Sequence, residues 1–128
     1  MMTNTSMSVF NRNVDLSRNV FYKKHLVENV FWDDSLGINL DKGYEKADAV
    51  NVYIPFDKND LSGYVEPKLY NGVGWTLENG DFIVKGDVPL TQVSGIKDLK
   101  NYEAFEITVN DTKDFGSDNM QHFEIRGS

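Results

Sequence analysis

Apolar residues in this chain recur at every second position in short runs, and that period limits what the chain can fold into. From Ala49 to Phe56, Val50, Val52, Ile54 and Phe56 share one face, while Ala49, Asn51 and Tyr53 take the other. Side chains of an extended strand point alternately to opposite sides, so this run predicts a strand with one buried face. Pro55 cannot donate to a ladder and predicts an edge or a strand exit. Phe105, Ile107 and Val109 alternate with Glu106 and Thr108 in the same way. Phe123 and Ile125 alternate with His122, Glu124 and Arg126 to make a last strand.

Trp75-Thr76-Leu77 and Phe82-Ile83-Val84 flank Glu78-Asn79-Gly80-Asp81. Asn and Gly both tolerate positive φ, so this arrangement predicts a β-hairpin. From Val20 to Trp32 the spacing of Tyr22, Leu26 and Val30 permits a helix. The β-branched and aromatic residues of that stretch favour instead a long strand, broken or bulged near Glu28-Asn29. Two short helical turns are expected. Ser94 caps one carrying Ile96 and Leu99, and Pro67 opens another through Tyr70 that ends at Asn71-Gly72. The sum is a mainly β chain: a small β-barrel or sandwich with one or two short helical turns and long loops.

A length of 128 residues fits one β-rich domain over 1–128, with the polar stretch Met1 to Ser8 as a flexible arm. Such a domain buries roughly two thirds of the surface its unfolded chain exposes, enough for a core without staples. Hydrophobic residues at 40% supply that core, and the absence of cysteine excludes disulfides and thiolate metal sites. That absence, with no basic apolar leader and no run of membrane-span length, predicts a soluble protein of a reducing compartment. Without a leader, the sequons Asn4-Thr5-Ser6 and Asn110-Asp111-Thr112 carry no meaning. A net charge of −7 argues against tight nucleic-acid binding, which needs clustered Lys and Arg. The one dense basic spot, Lys23-Lys24-His25, reads as a solvated strand face.

Chemical motifs are few. His25 and His122 are the only histidines, no Gly-x-Ser-x-Gly elbow accompanies them, and both read as residues of polar strand faces. Gly72-Val73-Gly74 begins like a dinucleotide fingerprint, but Leu77 stands at the third glycine position in a hairpin context. Asp111, Asp114 and Asp118 lack the calcium-loop spacing, with Lys113 and Phe115 intervening. No feature selects a carboxylate pair for glycoside chemistry. No catalytic, cofactor-binding or metal residue is assigned, and no enzyme activity is expected. Tyr64, Tyr70 and Trp75, if exposed, would suit a non-catalytic β-sandwich carbohydrate-binding module.

Three irregular stretches exceed what packing needs. The first, Asp33 to Asp48, carries Asp33, Asp34, Leu36, Asp41, Lys42, Glu45, Lys46 and Asp48 and is the candidate channel or interface loop. The second, Asp111 to Asn119, carries Asp111, Lys113, Asp114, Phe115 and Asp118 and is a candidate second interface loop. The third runs from Asp57 to Gly63.

One resemblance covers nearly the whole chain. It rests on Ala47-Asp48-Ala49-Val50-Asn51-Val52-Tyr53-Ile54-Pro55, then Tyr64-Val65-Glu66-Pro67-Lys68, then the block from Gly74-Trp75-Thr76-Leu77 to Ile83-Val84-Lys85-Gly86. Gly116-Ser117, Met120-Gln121-His122-Phe123-Glu124 and Arg126-Gly127 close it. This order resembles the head–tail connector or minor capsid proteins of bacteriophages and prophages of Gram-positive hosts. The layout is also similar to the head-completion stopper proteins of long-tailed phages. The resemblance implies a virion protein of the neck, made in the bacterial cytoplasm and not an enzyme. It implies a homo-oligomeric ring, six-fold or twelve-fold, between a portal-side connector and a tail-side protein. DNA would pass through without sequence-specific binding, with no membrane involved. Asp33 to Asp48 corresponds to the channel loop by topology alone.

Overall fold

Among the described residues seven strands form, and six of them pair in a closed circuit. The computed structural model describes residues 2–34, 49–113 and 121–128. The strands are β1 (Thr5–Val14), β2 (Val20–Asp33), β3 (Val50–Pro55), β4 (Phe82–Lys85), β5 (Gln92–Val93), β6 (Ala104–Lys113) and β7 (His122–Gly127). The order runs β1-β4-β6-β7-β3-β2, a β1–β2 pairing closes it, and β5 adds to β2. All of these pairings are antiparallel. Closure leaves no open edge within the circuit, which makes the molecule a small β-barrel with one added strand.

Two strands turn the barrel's corners, each at a bulge. On β2, Val27 opposes Met7 while Val30 opposes Thr5, so an extra residue is accommodated at Glu28-Asn29. Beyond that point β2 pairs with β3, from Phe31 opposite Tyr53 to Asp33 opposite Asn51. The bulge stands where the sequence places it. Its freed backbone groups go to Asn59, whose Oδ1 accepts the Asn29 N–H (3.0 Å) and whose Nδ2 donates to the Asn29 carbonyl (2.7 Å). A side chain thereby replaces the missing ladder partner.

The second bulge lies at Thr108, because Ile107 opposes Gly127 while Val109 opposes Arg126. It corrects one sequence expectation. Phe105 and Ile107 are buried, but Val109 is 50% exposed, since the extra residue reverses the facing of everything after it.

The barrel interior holds Val9, Val30, Trp32, Val52, Ile54, Ile83, Phe105, Ile107, Phe123 and Ile125, among others. A second core forms on the outer face of β1 and β4. There Phe10, Phe82 and Val84 are covered by Val88, Val93 and Leu99 of the segment 86–103. The expected turn Ile96–Leu99 lies in that segment; its capping position is Gly95, while Ser94 bonds the Asp98 carboxylate by N–H (2.9 Å) and hydroxyl (2.7 Å). The other expected turn is present at Pro67–Leu69.

Pro55 is the last residue of β3, a strand exit in the middle of the sheet and not an edge. Phe56 follows in a 3-10 turn and still packs against the core. Residues 4–8 are not a flexible arm. Asn4 bonds Trp32 both ways through its amide (Nδ2 to O, 3.1 Å; Oδ1 from N–H, 2.8 Å), and Met7 and Ser8 are fully buried in β1.

The hairpin expectation is also corrected. The turn exists: the Asp81 N–H donates to the Glu78 carbonyl (3.0 Å) and Gly80 has φ +97°. Asn79 keeps a negative φ, so this is not the type I′ turn that a tight two-residue hairpin needs. Both edges of β4 are already taken by β1 and β6, which leaves Trp75–Leu77 no ladder beside Phe82–Val84. That arm crosses the barrel end as a plug instead.

Candidate functional site

The plug is held by side chains. Asn11 Oδ1 accepts the Thr76 N–H (3.1 Å), and its Nδ2 donates to the Thr76 carbonyl (2.7 Å) and to Asp81 Oδ2 (2.9 Å). Asp81 also accepts the N–H groups of Arg12 (3.0 Å) and Glu78 (3.3 Å). Burial raises the Asp81 pKa, and these hydrogen bonds only partly offset it.

Trp75, at 2% exposed, fills the barrel beneath the plug. His25 stacks on it at 4.4 Å and 7°, and Tyr64 meets it edge-on at 5.0 Å. Tyr64 also packs on Phe123 at 4.6 Å, and the Tyr70 hydroxyl accepts from Asn13 Nδ2 (2.9 Å). Trp75 is therefore a core residue, and the three aromatics do not form an exposed sugar platform.

His25 borders a cleft of about 380 Å³ with Glu28, Asn59, Asp60 and Ser62. The Asp60 carboxylate is occupied by the Ser62 N–H (2.9 Å) and hydroxyl. Burial lowers the His25 pKa below 6.5, against a smaller upward pull from Asp60. A depressed pKa means the fold favours neutral imidazole, so this contribution is present above about pH 6.5 and lost as pH falls through the folded value. His25→Gln should accordingly lose less stability than wild type between pH 7 and pH 5 in thermal melts. Parallel losses in the two proteins would contradict this account of His25.

The two candidate interface loops arise at opposite ends of the barrel. In the β3–β7 pair, Val50 faces Gly127 and Pro55 faces His122. The β2–β3 connection therefore leaves at one end of β7 and the β6–β7 connection at the other. At the first end Lys85 Nζ lies 3.8 Å from Asp34 and 4.0 Å from Glu103. Burial raises the Glu103 pKa, and the Asp34 hydrogen bond and charge add to the shift. At the second end Lys113 pairs with Asp111 at 2.6 Å, which raises the lysine pKa, and His122 lies 3.7 Å from Glu124. Leu36, Asp41, Lys42, Glu45, Lys46 and Asp48 lie outside the described residues, as do Asp114, Phe115 and Asp118. Among the described residues no group of three or more His, Asp and Glu could hold a metal ion. No described helix is long and apolar enough to cross a membrane.

Two surface features were not expected from sequence. A groove of about 670 Å³ lies beside the plug, floored by Tyr64, Leu77 and Phe123 and rimmed by Glu66, Lys68 and Glu78. The β1–β2 turn presents Leu16 entirely to solvent. A lone leucine within Asp15-Leu16-Ser17-Arg18-Asn19 gives no periodic signal, although the polar residues around it do mark a turn.

Fold and surfaces together define a closed antiparallel β-barrel, plugged at one end, with distinct connections at both ends. The chain belongs to the Family of unknown function (DUF6751), whose model matches residues 2–128. Comparison with curated proteins and with solved structures finds no match.

Proposed function

We propose that this chain is a structural subunit of a bacteriophage neck, forming a ring at the head–tail interface that closes the head after DNA packaging and docks the tail. The observation that carries the reading is the placement of the two polar connections at opposite ends of a closed barrel. A ring subunit stacked between a portal-side connector and a tail-side protein needs separate contacts above and below a rigid body. The resemblance of the Gly74–Gly86 block to head–tail connector proteins supports the same reading. So does a net charge of −7, because a channel wall that lets DNA slide should not hold its phosphates.

The reading is tested in a phage or prophage with this coding sequence interrupted. Expected are packaged heads that carry no tails and lose their DNA, with tailed particles restored when the chain is supplied from a plasmid. Normal tailed particles without it would overturn the proposal.

A further inference from the structure

The β1–β2 turn holds Leu16 on a fixed support. Asp15 Oδ1 accepts the N–H groups of Ser17 (2.8 Å) and Asn19 (2.9 Å). The Asp15 N–H donates to the Asn19 carbonyl, and the Arg18 N–H to the Asp15 carbonyl, both at 3.0 Å. Four hydrogen bonds across five residues order the turn before any partner arrives, which removes a cost that association would otherwise carry. Leu16 is 105% exposed on this support.

Arg18 sits at φ +64°, the only non-glycine residue with positive φ among those described. Glycine adopts that conformation without the side-chain clash an arginine meets. Arg18 stands two positions along the turn from the exposed leucine. Val14 and Val20 flank the turn, and Leu69 and Val73 stand exposed on a neighbouring segment that the Asn13–Tyr70 hydrogen bond ties to β1. The turn, with Leu16 exposed between Asp15 and Arg18, is the knob.

The groove beside the plug has the opposite character. It is concave, its floor of Tyr64, Leu77 and Phe123 is apolar, and two of the three charged rim residues, Glu66 and Glu78, are acidic. Its 670 Å³ readily admits a leucine side chain. The Leu16 turn and the groove are separate features of one molecule, so two copies can engage turn to groove. A contact made in one direction from copy to copy generates a ring or filament, whereas two copies that exchange it reciprocally form a two-fold dimer.

We propose that the β1–β2 turn of one copy seats Leu16 in the groove of the next, with Arg18 against Glu66 and Glu78. The occupant is a second copy of this chain. The proposal deepens the neck reading and rests on it for ring closure, but the contact itself is testable alone.

The chain has no cysteine, so introduced thiols report only the designed contact. Leu16→Cys and Leu61→Cys, the latter at a residue that also lines the groove, are placed on separately tagged copies, with Lys68→Cys as a second groove position should the Leu61 variant fold poorly. They are mixed and oxidised at high concentration, both alone and with the proteins encoded beside the gene. Expected is a mixed disulfide between Leu16→Cys and a groove cysteine, at least about tenfold above a Leu16→Cys plus Val109→Cys control. Arg18→Glu on the knob copy should lower the yield about tenfold, as charge reversal opposite acidic groups does. Arg18→Gly should raise the melting midpoint of the isolated chain while weakening the contact. Tip-to-tip disulfides in equal yield, or no preference over Val109→Cys, would overturn the proposal. Rings formed with neighbouring proteins but lacking the knob–groove disulfide would sink it and leave the neck reading standing. A knob–groove disulfide in a chain that binds no neighbour would do the reverse.

Discussion

Replacing Asn11 with alanine should lower stability by about 2–4 kcal/mol at neutral pH, since two buried backbone groups are left unpaired at roughly 1–3 kcal/mol each and a buried carboxylate oxygen loses one of its two donors. Those groups are the N–H and carbonyl of Thr76 and the Oδ2 of Asp81. Asn11, Thr76 and Asp81 are all buried, so water cannot take the place of the lost amide. The deficit should also depend on pH. The fold already raises the Asp81 pKa above 3.8, so it favours the protonated acid, and that contribution is lost as pH rises through the folded value. Removing the Asn11 donor raises it further, because one hydrogen bond to the carboxylate disappears. The gap between variant and wild type should therefore be widest at pH 7 and narrower near pH 4. Urea unfolding at both pH values measures it. A loss under about 1 kcal/mol, or an equal deficit at both, would show that the plug is held by packing alone.

Trp75→Ala should cost about 3–5 kcal/mol, the range for truncating a large aromatic in a packed interior. The ring is 2% exposed, His25 stacks on it and Tyr64 abuts its edge. With the indole gone, His25 should regain water and its pKa should move back towards 6.5, which NMR titration of the imidazole reads directly. Trp75→Phe should cost less than alanine, because it keeps most of the packing and removes an indole N–H that has no partner. Unchanged stability in the alanine variant would give Trp75 a surface role and return the carbohydrate reading to consideration.

What the sequence disclosed follows the reach of its signals. Two-residue alternation marked β3, β6 and β7, and the polar pair Glu28-Asn29 inside an apolar run marked the corner of β2. Closure into a barrel was legible only as one of two options, because alternation fixes which face is buried and not which strands are neighbours. Asn79-Gly80 announced a turn correctly, but a turn signal does not say whether its arms pair with each other. The plug depends on Asn11 bonding Thr76 across 65 positions, a side-chain-to-backbone contact with no local signature. Val109 was misplaced for a related reason: no residue type marks a bulge at Thr108. The acidic connections were found as polar stretches, yet most of their residues lie outside the described structure. The knob and groove are not legible in the sequence because one leucine in a polar turn has no period, and the groove is assembled from segments far apart in the chain.

The neck assignment meets its most direct test in the purified chain mixed with the proteins encoded beside its gene, read by native mass spectrometry and electron microscopy. The account predicts ring-shaped complexes of six-fold or twelve-fold symmetry that include a portal-side or tail-side protein. A monomer that binds none of its neighbours would contradict it.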